Sequence, residues 1–177
     1  KYVNKENINT VIKNLNVPKK LGLLSLDIDG IDYWVLKELF QIDPTIIICE
    51  YNSLFGVKNS ITVPYKKNFN RSKEHYSYLY YGASIQAFIN ILKQKKYHFL
   101  GTNSAGNNAF FIKNQLATKA KKIISNNKIF ISKFRESRSK KNKLNHLDKK
   151  NSLKLIQNKL VFDLNGNKIK KISDLKL

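Results

Sequence analysis

The chain has 177 residues and 33 basic against 12 acidic side chains, a formal net charge of +21. A hydrophobic share of 42% excludes a disordered chain, and the length suits one domain with a tail. No apolar run approaches the ~18 residues of a membrane-spanning helix, no signal core follows Lys1-Tyr-Val-Asn4, and a single cysteine, Cys49, excludes an internal disulfide framework. The expectation is a cytoplasmic protein with no membrane span. The chain begins with Lys and contains no Met, so it is expected to be a piece of something longer.

Thirty of the basic residues are Lys and three are Arg (Arg71, Arg135, Arg138), beside 22 Asn and 20 Ile. Lys, Asn and Ile have A/T-rich codons, so part of the charge reflects codon usage. A reader of bases would carry more Arg, whose planar fork matches phosphate and guanine. Residues 1–112 hold 14 basic and 8 acidic residues, and residues 113–177 hold 19 and 4. A field of that sign implies weak, nonspecific binding of polyanions.

In chain order, Ile8, Val11, Ile12 and Leu15 form one face of a short helix, stopped before Pro18. Leu21–Ile28 is a nearly continuous apolar run, read as a strand buried on both faces. Asp29-Gly30 turns the chain, and Asp32 is placed to cap a helix carrying Trp34, Val35, Leu36 and Leu39. After Asp43-Pro44, Thr45–Glu50 reads as a second buried strand. Residues 52–81 are a long connection with little period, and such loops are commonly functional. Ser84 opens a helix bearing Ile85, Phe88, Ile89 and Leu92. Tyr97–Thr102 and Ala109–Lys113 are then close enough only for an antiparallel hairpin. This alternation argues an α/β layer fold over residues 1–113. Residues 114–177 read as a loosely attached Lys-rich appendage. It holds a helical stripe (Leu153, Ile156, Leu160) and a small hairpin of Val161–Leu164 and Lys168–Ile172 about Asn165-Gly166.

The chemistry gathers at two strand ends. Asp27, Asp29 and Asp32 sit at the carboxyl end of the first buried strand, and Glu50, Tyr51 and Asn52 at that of the second. In open α/β sheets, ligands bind at the carboxyl ends of the strands. A carboxylate inside an apolar run, as at Asp27, is costly without a donor, a cation or a metal. Cys49 reads as core, and His75, His98 and His146 lack metal-ligand spacing. No P-loop, zincin or nucleophile-elbow motif occurs.

The stretch Leu23-Leu-Ser-Leu-Asp-Ile-Asp-Gly-Ile-Asp-Tyr-Trp34 resembles the fourth-strand motif of FkbM-type S-adenosylmethionine-dependent methyltransferases. It resembles more closely still a group of methyltransferase-like proteins with the pattern LSIDIDGxDYW. The likeness continues through Ile46–Asn52, Tyr81–Ser84, Gly101–Phe111 and Phe134–Arg138, spanning residues ~7–138. The resemblance implies a partial Rossmann-like methyltransferase sheet. Its strands are equivalent to the fourth to seventh of the order 3-2-1-4-5-7-6, with the seventh antiparallel. It further implies S-adenosylmethionine as cofactor and O-methyl transfer to a small-molecule or glycan acceptor. Asp27, Asp29 and Glu50 are then catalytic candidates, and Asp32, Tyr51 and Asn52 line the acceptor side. Hard oxygen ligands make Mg²⁺ a candidate too. The glycine-rich cofactor turn of that family has no counterpart here, so the chain is expected to be the carboxyl-terminal half, with a strand edge prone to self-association. The alternative is a non-catalytic basic module docking on an anionic partner.

Overall fold

The structure, a computed structural model, describes residues 2–124, 128–133 and 136–177. Phe134 and Arg135, in the last stretch of the likeness, lie outside the described residues.

Helix α1 (Ile8–Asn14) buries Ile8 and Ile12; Leu15, beyond its end, is exposed. Strand β1 (Lys20–Leu26) leads through the Asp27–Ile31 turn into helix α2 (Asp32–Glu38) and strand β2 (Asp43–Glu50). β1 and β2 pair in parallel, Leu23 opposite Ile46 and Leu26 opposite Cys49, which is why a helix must cross over between them. Helix α4 (Ile85–Gln94) starts at Ser84, whose hydroxyl accepts from the Ala87 amide. It leads to β4 (Tyr97–Thr102) and β5 (Asn108–Lys113), an antiparallel hairpin. β5 inserts beside β2, antiparallel to it. The four-stranded sheet therefore runs β1-β2-β5-β4.

β1 differs from its expectation. It stands at the sheet's edge and is mostly exposed or half-buried, with Leu23 51% exposed. An apolar run reports a preference for burial without saying what covers it. Only β2 flanks β1 among the described residues.

The connection 52–81 is ordered by its partners. It holds strand β3 (Ile61–Thr62) and the one-turn helix α3 (Arg71–Glu74). The appendage is not loosely attached. Helix α5 (Ala117–Ile123) is followed, after a long connection, by α6 (Lys149–Ile156) and the hairpin β6 (Leu160–Asp163)–β7 (Lys168–Lys171). β6 pairs with β3, giving a second sheet ordered β3-β6-β7. Ile156, Val161 and Ile172 join Phe55, Ile61, Val63 and Tyr80 in a second buried core. The Tyr80 hydroxyl donates to Leu160 O at 2.5 Å, and Trp34 bridges the two layers, packing on Phe162 and donating to Val63 O. The molecule is thus mixed α/β with two sheets. Among the described residues no helix is long and apolar enough to cross a membrane.

Candidate functional site

Asp27 and Asp29 lie in the turn after β1, and Glu50 is the last residue of the neighbouring β2. Because the two strands are parallel, both ends open at the same place. A carboxylate oxygen from each of the three residues lies within 4.8 Å of the others. Asp29 takes a left-handed conformation (φ 56°), which Asp tolerates better than most residues. Gly30 has its own constraint: a Cβ there would come within 2.2 Å of the Phe69 ring.

Asp32 does not cap α2, whose N-cap is Ile31. Its side chain reaches backwards instead, accepting from Ile28 N at 2.8 Å and Gly30 N at 2.9 Å. At 2% exposure it fixes the turn that carries Asp27 and Asp29. Burial, only partly opposed by those amides, pushes its pKa up to about 6.

Glu50 is buried, and no described residue donates a hydrogen bond to its carboxylate. Desolvation first, then Asp27, push its pKa up to about 8, against the opposite pull of Arg71. Asp27 is raised as well, by desolvation and by Asp29. The cluster thus gathers three carboxyl groups, two exposed and one buried, in a strongly basic molecule. Its oxygens are the hard donors that a divalent cation such as Mg²⁺ takes.

The Asn52 side chain is committed to the chain itself. It donates to Leu79 O and Tyr81 O at 2.9 and 3.0 Å and accepts from Leu54 N. Tyr51 and Asn52 face a cavity of about 530 Å³ beyond the end of β2. Asp27, Asp29 and Glu50 do not line it. Cys49 is fully buried core, its thiol pKa raised by desolvation.

The residue sequence reasoning missed is Arg71, at the start of α3. Its Nη1 donates to Asp29 Oδ1 at 2.7 Å and its Nε to Tyr78 O at 2.5 Å. Its guanidinium stacks on Tyr81, 3.6 Å from the ring centroid, and Nη2 pairs with Glu136. Tyr81 and Glu136 both line the cavity, so the Arg71–Glu136 pair stands between the cavity and the carboxylate cluster. A signal for it existed: where thirty positions use Lys, an Arg marks a site that needs a planar fork.

Compared with known protein families, characterised proteins and solved structures, the chain matches none.

Proposed function

We propose that the chain is the acceptor-binding half of an S-adenosylmethionine-dependent methyltransferase acting on a hydroxyl oxygen, or a similar nucleophile, of a small molecule or glycan. The observation that carries this reading is the sheet. Its order β1-β2-β5-β4, with β1 and β2 parallel and β5 antiparallel between β2 and β4, agrees with the 4-5-7-6 part of the order that the resemblance implies. The three carboxylates then lie where such sheets bind ligands.

Among the described residues no strand is followed by a glycine-rich turn, and this reading gives the chain the acceptor side. Desolvation raises the Asp27 pKa and pushes that of Glu50 up to about 8. Glu50 holds its proton at neutral pH and donates a hydrogen bond. Asp27 accepts the proton of the acceptor hydroxyl, and Asp29, held by Arg71, orients it. If Mg²⁺ is bound, Asp27, Asp29 and Glu50 would hold it, and its charge would stabilise a developing alkoxide.

The test uses the full natural protein that contains this chain, given methyl-labelled S-adenosylmethionine and a panel of hydroxylated small molecules and glycans. Label is expected to reach a hydroxyl acceptor, with at least a tenfold loss in Glu50→Gln and Asp27→Asn. Absence of transfer to every acceptor, or undiminished transfer in both variants, overturns the reading.

A further inference from the structure

The cavity at the end of β2 has a composition of its own. Leu79, Phe130, Leu147 and Leu177 give it apolar walls, while Lys58, Lys149 and Lys176 contribute to its lining. Glu136 is the one acidic residue among the described residues that line it. A volume of about 530 Å³ lies in the range of small-molecule sites, which combine apolar walls with a few placed polar groups.

Arg71 is already organised to bind an anion. Its Nε is fixed by Tyr78 O, its Nη1 by Asp29 and its face by Tyr81, so that Nη2 is left for Glu136. Glu136 belongs to no helix or strand, and nearby Arg138 N donates to Ser77 O. A fixed guanidinium thus meets the Glu136 carboxylate at the wall of an apolar cavity.

We propose that this cavity binds an amphipathic anion, a molecule with an apolar body and a terminal carboxylate or phosphate that replaces the Glu136 carboxylate on Arg71. The incoming group brings an anionic oxygen to Nη2, where it accepts a charge-assisted hydrogen bond. Arg71 need not move to receive it, and the lining lysines add long-range attraction. Glu136 acts as the internal stand-in for the ligand. This inference concerns binding alone and goes beyond the methyl-transfer reading. Neither experiment's failure decides the other.

Calorimetry on the full chain with octanoate, octyl phosphate, 1-octanol and inorganic phosphate tests it, with circular dichroism showing that each variant is folded. Octanoate or octyl phosphate is expected to bind at one site, at least tenfold more tightly than 1-octanol or inorganic phosphate. Whichever of the two anions binds better identifies the head group. Arg71→Lys keeps the charge and the lining lysines but removes the Nη2 donor that Tyr78 O, Asp29 and Tyr81 hold in place, and should erase the preference for anion over alcohol. Glu136→Gln should raise anion affinity at least threefold in the native background and leave it unchanged in Arg71→Lys, a coupling that a change in net charge alone does not produce. The proposal is overturned if 1-octanol or inorganic phosphate binds as tightly as the octyl anions. It is equally overturned if no octyl anion binds, or if folded Arg71→Lys retains the preference. Should Arg71→Lys fail to fold, the ligand comparison and Glu136→Gln still decide: an unchanged or lowered anion affinity in Glu136→Gln overturns it.

Discussion

Glu50 ties the site to stability. Its folded pKa of about 8 lies above the ordinary 4.5, so the native state holds a proton that the unfolded chain has released. The stability linked to this group is fully present below pH ~4.5 and is lost as pH rises through ~8. Asp32 acts in the same direction over the lower window up to about 6. Glu50→Gln removes the Glu50 part, so its melting temperature relative to the native chain should improve from pH 5 to pH 8.5, reaching a gain of roughly 3–6 °C. A gap that stays constant with pH would refute the assignment. If the cluster takes Mg²⁺, millimolar Mg²⁺ should raise the native melting temperature at pH 8.5 and leave Glu50→Gln unmoved. These carboxylates were legible because each follows an apolar strand directly. Arg71 was not: it meets Asp29 across 42 residues of sequence, a juxtaposition that no local pattern encodes. Asp32 was misread by a single position, because the same carboxylate that caps a helix from its N-cap reaches back to the preceding turn from the first helical residue.

Legibility of the elements followed the strength of their local signals. The 97–113 hairpin, helix α4 and the Asn165-Gly166 hairpin were readable from turn residues and periodicity. The second sheet was not, since its β3 is two residues inside a connection without period. What holds the hairpin is tertiary burial. Ile156→Ala should therefore cost about 2–5 kcal/mol, measured by denaturant unfolding as a single transition. A change below about 0.5 kcal/mol would mean that residues 149–172 form a detachable tail. The outer edge of β1 makes the opposite prediction. Unpaired backbone groups beside exposed Leu23 favour pairing with another strand. The chain should self-associate with concentration in sedimentation velocity, and Leu23→Lys should shift it toward monomer. A native chain that stays monomeric at millimolar concentration would contradict this.

For the whole molecule, charge and site have opposite signs. No acidic residue occurs between Glu74 and Glu136, against ten basic ones, yet four carboxyl groups gather about the carboxyl ends of β1 and β2. Duplex DNA should bind weakly at low salt, lose affinity at least tenfold between 50 and 200 mM salt, and show no sequence preference. Tight, salt-resistant binding would favour the basic-module alternative. The acceptor-site account itself rests on the carboxylates serving chemistry before stability, and Asp29 separates the two. Its side chain is 63% exposed, so its pair with Arg71 contributes little to folding, and Asn tolerates its left-handed backbone. The most direct measurement is therefore the rate of methyl transfer by the full natural protein beside its melting temperature, native against Asp29→Asn. The account predicts a rate at least tenfold lower with a melting shift under about 2 °C; an unchanged rate, or a rate that falls only in step with the folded fraction, would contradict it.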